Sequence, residues 1–305
     1  MTQLLNALPG ALAQGLIWGV MAIGVYITYK VLDIADLTVD GSICTGAAVC
    51  TMLLLGGQSP WLALLCAVLA GVLAGAVTGL LHVGLGIPPI LAGILTQMVL
   101  WSVNLKLLGK ANQALPARTT PVLLSQMDVG GALPVLLGFC VVLVALLVLF
   151  FGTELGCALR ATGCNPVMSR AQGVNTGLMK VVGLALSNGV VALSGALLCQ
   201  YQGYTDVNMG RGAVVIGLAA VVIGQAVLGR RGGRMAVQLG GVILGAVIYY
   251  IVYQVIIFAG FDTDLLKMFS AVVVVAVFLG APHVKAQLKA HSRSKKGDSG
   301  HAENE

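Results

Sequence analysis

The sequence predicts an all-α protein that crosses a membrane about nine times, within a range of roughly eight to ten, and three observations carry that prediction. Of its 305 residues 58% are hydrophobic and only 9% charged, whereas a soluble domain is roughly a quarter charged. So few charges cannot solvate the surface of a water-soluble fold. Apolar runs close to the length of a bilayer span recur along the chain. The 41 glycines are the third sign, because small residues let helix backbones approach where hydrophobicity no longer drives their association.

The spans follow in order. Residues 11–32 form the first, and no Lys or Arg precedes it; the basic start of a cleavable secretory signal is missing, so this span is expected to remain as structure. Residues 42–55 form a short second span and 61–81 a third, which carries Gly71, Gly75 and Gly79 at helical spacing. Such a ridge suits close packing against another helix. The fourth, 89–108, holds Gln97, Trp101 and Asn104. Trp101 lies four residues after Gln97 and Asn104 seven after it, so the three share one helical face. Residues 133–151, 177–200 with Asn188, 212–228 with Gln225, 235–259 with Gly241 and Gly245, and 265–279 complete the set. The membrane domain thus covers 1–282, and the polar residues 283–305 form a disordered tail.

Seven cysteines are scattered singly and four histidines lie at helix ends or in the tail. No ligand spacing emerges, and no metal site is expected. Alternate threading with the tail inside places 12 of the 17 Lys and Arg residues on the cytoplasmic face, as the positive-inside rule requires. Lys30, Arg160, Arg170 and Lys180 belong to that face, while Lys106, Lys110, Arg118, Arg211 and Lys267 fall outside.

Two segments echo each other. Asp36-Leu-Thr-Val-Asp-Gly-Ser42 and Asp206-Val-Asn-Met-Gly-Arg-Gly212 each precede a short, small-residue-rich span. About five crossings separate them, so the copies run in opposite directions, as in inverted-repeat transporters with interrupted helices. Asp33, Asp36, Asp40 and Asp206 are expected to cap or break helices.

The longest cytoplasmic loop, 152–176, contains helix grammar. Asn165 can cap free N–H groups, Pro166 suits the first helical position, and Gly173 can stop the helix in a left-handed conformation. Val167, Met168 and Ala171 gather on one side, with Ser169, Arg170 and Gln172 polar. That pattern suits a groove on a soluble partner.

Here the chain resembles the permease subunits of ATP-binding cassette (ABC) importers of the branched-chain amino acid and ribose type. Leu159-Arg-Ala-Thr-Gly-Cys-Asn-Pro-Val-Met-Ser-Arg-Ala-Gln-Gly-Val-Asn175 is similar to that family's cytoplasmic coupling segment. Asp36-Leu-Thr-Val-Asp-Gly-Ser42 is similar to its Asp-Leu-Ser-Val-Gly-Ser element, with Asp40 as an extra acidic residue, and Gly24-Val-Tyr-Ile-Thr-Tyr-Lys30 resembles the first span of amino acid permeases. Within the family the chain looks most like compact permeases linked to tryptophan and tyrosine uptake.

The resemblance implies a pore subunit in a bacterial plasma membrane with its C-terminus in the cytoplasm. It implies a second permease copy, two ATPase subunits beneath and an extracytoplasmic binding protein, with lipid around and no nucleic acid. Arg160, Gly163, Asn165, Pro166, Val167, Met168, Arg170, Gly173 and Asn175 become the ATPase-coupling residues. No phosphate-binding Gly-x-x-x-x-Gly-Lys-Ser/Thr loop occurs, so the chain is expected to bind no cofactor, with ATP and Mg²⁺ held by the ATPase. Gln97, Trp101, Asn104 and Asn188 are translocation-pathway candidates, since polar groups at membrane depth are costly. Hydrogen bonding between helices, worth roughly 0.6 kcal/mol, is the competing role. An ion-coupled secondary transporter is the alternative function; it would need no docking helix and commonly holds a deep ionisable group, and none is evident along the spans. An intramembrane enzyme would need paired catalytic groups, which the spans lack.

Overall fold

The computed structural model describes residues 2–116, 120–228 and 234–258. The expected ninth span, 265–279, and the tail, 283–305, lie outside the described residues, as do the basic residues on them. Six helices of the described part are long and apolar enough to cross a membrane, α1 (Thr2–Tyr26), α3 (Pro60–Gly84), α4 (Pro89–Leu108), α5 (Val129–Gly152), α8 (Thr176–Gln202) and α10 (Met235–Phe258), and two apolar helices are shorter, α2 (Val39–Leu55) and α9 (Ala213–Leu228). Each overlaps an expected span, and all but α1 agree with it to within about four residues at each end; α1 starts nine residues earlier than expected, and the π-turn Ile27–Val31 carries it on to nearly the expected end. Between α5 and α8 lie two short helices, α6 (Glu154–Cys164) and α7 (Pro166–Ala171).

Local chemistry explains the boundaries. Ser59 caps α3 by accepting from the Leu62 N–H, with Pro60 in the first turn. Asp128 accepts from Gly131 N–H at 3.0 Å and starts α5. Gly109 and Gly203 end α4 and α8 in left-handed conformation, where a Cβ would be costly. Past Tyr26 the first span widens into a π-helical turn, Ile27–Val31. Asp33 then turns the chain at φ 56°, a region that short polar side chains tolerate.

The core sits along α1 and α8, which turn most of their surface inward, while α3, α4, α5 and α10 bury a minority. Leu73, Val141 and Leu149 point outward as exposed apolar side chains. In water that arrangement would be unstable; in hydrocarbon it costs nothing, because lipid tails are as apolar as leucine. A small antiparallel sheet closes one end of the bundle. Strand β1 (Asn112–Ala114) pairs with β2 (Tyr204–Asp206) in the register Asn112↔Asp206, Gln113↔Thr205, Ala114↔Tyr204. The ends of α4 and α8 therefore lie together, opposite α6 and α7.

The glycine ridge packs as expected. A methyl group at Gly71, Gly75 or Gly79 would strike Asn188, Leu184 or Val181 of α8. Replacing Gly75 with leucine should cost roughly 3 kcal/mol and lower Tm by about 6–12 °C. Gly138, which has no neighbour within 4 Å of an added Cβ, should accept leucine with little change. Equal melting curves for the two variants would refute the packing assignment.

Candidate functional site

Two regions combine unusual geometry with chemistry. The first is the α6–α7 elbow. Asn165 Oδ1 accepts from the backbone N–H groups of Val167 and Met168 at 3.1 and 3.0 Å. Pro166 occupies the first turn of α7. Gly173 stands at φ 83°, and the Val174 N–H reaches back to the Ser169 carbonyl at 3.0 Å, so the helix is capped at both ends. Val167 and Met168 are 79% and 61% exposed. Ser169 is buried and donates to the Asn165 carbonyl at 2.9 Å.

The other residues expected in coupling tie this elbow to the spans. Arg160 donates to the Phe151 carbonyl at 3.1 Å, closing the end of α5. Arg170 donates to Thr176 Oγ1 at 3.1 Å, and Asn175 caps α8 through the Leu178 N–H at 3.1 Å. Gly163 lies against the π-turn, where a Cβ would strike the Val31 carbonyl. Three spans, α1, α5 and α8, are thus gripped at one end by α6 and its flanks. The sequence reading places one helix of two turns in this loop; the structure adds α6, eleven residues long. Thr153, whose Oγ1 accepts from Gly156 N–H at 3.3 Å, is the start signal that could have located it.

The second region lies within the bundle. Asp36 and Asp206, the leading residues of the echoed segments, make the same local turn: each accepts from the N–H two residues on, Thr38 at 2.8 Å and Asn208 at 2.7 Å. The short helices that follow meet N-terminus to N-terminus. Asp40, second residue of α2, accepts from Gly212 and Val214 N–H, both at 3.0 Å, and so caps α9. The extra acidic residue of the first motif has this structural task. From the junction α2 runs toward the sheet, where Thr51 and Thr205 hydroxyls bond at 2.6 Å, while α9 runs toward the other end, past Val25 and Met21.

Asn188 sits at the hinge of this arrangement, fully buried. Its Oδ1 accepts from Ser42 Oγ at 2.6 Å, and its Nδ2 donates to Asp36 Oδ2 at 2.7 Å and to the Leu184 carbonyl at 3.0 Å. It joins α8 to α2 and does not line the neighbouring pocket. Gln97, Trp101 and Asn104 do line it, together with Asp40, Met98 and Arg211, around a volume of about 540 Å³. Gln225 lies elsewhere, on an exposed face of α9. Trp101 Nε1 donates weakly to Asn208 Oδ1 at 3.4 Å.

The pocket lies well along α2 from the sheet. Gly210 abuts the Asp40 carbonyl, and Asp40 lies eleven residues along α2 from Thr51, about 16 Å at the helical rise. Arg211 is exposed and lines the pocket together with Asp40. The spans were expected to hold no deep ionisable group; Asp36, on the segment before α2, is buried, and Asp40, in the first turn of α2, is partly buried.

A family model for the branched-chain amino acid transport system / permease component matches residues 8–278. The chain belongs to that permease family. It is accordingly a multi-pass membrane permease subunit of an ABC importer for small solutes, and permease subunits of this kind are not themselves enzymes. Among relatives, the tyrosine transport system permease protein of Clostridioides difficile is 38% identical over 93% of this chain and 94% of its own. An uncharacterized protein of Rickettsia prowazekii is 33% identical over 93% of this chain and 99% of its own. The autoinducer 2 import system permease protein of Escherichia coli is more distant, 29% identical over 67% of this chain and 60% of its own. No solved structure gives a significant match. Among the described residues of this permease, no group of three or more His, Cys, Asp and Glu side chains could hold a metal ion.

Proposed function

We propose that this permease imports an amino acid, aromatic or branched-chain, across a bacterial plasma membrane, with the α6–α7 end facing the cytoplasm. The observation that carries the reading is α7: a helix capped at both ends, with Val167 and Met168 exposed. A connecting loop between spans needs no such construction. Four of the described basic residues, Lys30, Arg160, Arg170 and Lys180, lie on α6, α7 or the span ends beside them, which supports a cytoplasmic position. The name of the 38% identical relative favours tyrosine-like solutes.

In this reading α7 docks in a groove on a cytoplasmic ATPase, which holds ATP and Mg²⁺. A second copy of the permease completes the pathway, lipid surrounds the pair, and an extracytoplasmic binding protein delivers the solute. Closure of the ATPase pair moves α7, and α6 passes the displacement to α1, α5 and α8 through Gly163, Arg160 and Asn175. Asn188 and Asp36 continue the chain from α8 to α2, and Asp40 from α2 to α9. Both half-helices that meet at the pocket are thereby connected to the docking helix, as rocking between outward-open and inward-open states requires. The ion-coupled alternative gains one buried carboxylate, Asp36, yet it has no use for α7, and the family match is to a permease component.

The test is a surface change that leaves the fold alone. Val167→Asp combined with Met168→Asp should keep the native melting curve and reduce ATP-driven uptake by at least about tenfold, the equivalent of 1.4 kcal/mol of lost docking. Uptake at the native rate, or solute accumulation by the permease alone without nucleotide, would remove the coupling role from α7.

A further inference from the structure

Asn104 is fully buried, and neither its Nδ2 nor its Oδ1 has a hydrogen-bond partner among the described residues. A buried primary amide left wholly unpaired is costly to a fold. Thr96, on the same helix, shows the usual remedy, donating back to the Ala92 carbonyl at 3.0 Å. Asn104 has no such escape, and it lines the pocket at the junction of α2 and α9. The same pocket is lined by one carboxylate, Asp40, and one guanidinium, Arg211.

We infer that this pocket is a substrate-binding site carried by the permease itself, and that its ligand is a zwitterionic amino acid. The inference rests on the importer reading above and adds a selectivity site within the membrane. Opposite charges in one cavity suit a ligand that carries both: Arg211 faces the α-carboxylate and Asp40 the α-ammonium. Asp40 is already held by two backbone N–H groups of the α9 start, and each oxygen keeps a further lone pair for an ammonium donor. A neutral sugar would leave both charges unanswered, and a simple anion or cation would leave one. Asn104 and Gln97 supply amide donors and acceptors. Trp101, 43% exposed, and Met98 give apolar surface for the side chain. A cavity of about 540 Å³ falls within the size range of small-molecule sites.

The experiment uses the full-length permease in lipid nanodiscs, with Trp18 and Trp61 changed to phenylalanine so that emission reports on Trp101. L-tyrosine, tyramine, 3-(4-hydroxyphenyl)propionate and D-ribose are the probes. L-tyrosine should give a saturable change, the amine and the acid should bind at least about tenfold more weakly, and ribose should give none. Asn104→Leu should weaken L-tyrosine binding at least about tenfold yet raise Tm, because it removes an orphaned polar group while filling the same space. A purely structural asparagine would move both readings in the same direction. Arg211→Gln should weaken the acid as much as the zwitterion and leave tyramine unchanged.

Parallel uptake assays of the complete complex, with its ATPase and binding protein, separate the two claims. If the native complex imports L-tyrosine on ATP while Trp101 gives no saturable change, or responds equally to all four probes, the permease-borne site is overturned and the importer reading stands. If no nucleotide-driven uptake of any solute occurs, the importer reading fails with it.

Discussion

Replacing Asp36 with alanine should lower Tm by about 6–12 °C, corresponding to a loss on the order of 3 kcal/mol. The carboxylate is 5% exposed and accepts from two donors, the Thr38 N–H at 2.8 Å and Asn188 Nδ2 at 2.7 Å. Without it the Thr38 N–H is stranded inside the bundle at the point where α2 begins. Asn188 keeps the Leu184 carbonyl and Ser42, so the damage is concentrated on α2. The turn before α2 then has nothing to hold it, and ATP-driven uptake should fall with stability. Asp206→Ala removes the equivalent turn near the sheet, where Asn208 is exposed, and should cost much less. Similar melting curves for the two variants would show that burial does not distinguish the echoed aspartates.

Gly163→Val should abolish uptake while leaving nucleotide hydrolysis by the assembled complex intact. Any side chain at 163 meets the Val31 carbonyl, with Leu32 Cα immediately behind it. Backbone cannot yield as a flexible side chain does, so α6 must lift away from the π-turn and α1 loses its connection to the docking helix. Gly152→Ala is the control, since an added Cβ there meets nothing within 4 Å. Measuring hydrolysis and uptake together decides the matter: a proportional fall in both would mean that the variant disturbs folding and not transmission.

Much of this was legible in the sequence because membrane helices are local objects. Their apolar length, their caps and their glycine spacing are written within some twenty residues, so the eight apolar helices of the described part and both ends of α7 could be located without coordinates. Gln97, Trp101 and Asn104 were grouped correctly because seven residues bring a helix back to the same face. The helix α6 escaped because it is neither long nor strongly apolar, and the β1–β2 pair because its strands lie some ninety residues apart.

Taken alone, the sequence determined the fold class, the apolar helices of the described part, the capped helix α7 and the family, all of which depend on composition and short-range pattern. Only the tertiary structure decided that Asn188 is a hydrogen-bonded hub and not a pocket residue, and that Arg211 and Asp40 line the same pocket. It alone brought the N-termini of α2 and α9 together across more than 170 positions. The physical reason is that short helices entering the bundle on extended arms have no periodic signature of their depth. Where an arm ends is set by partners far along the chain, and those partners meet only on folding.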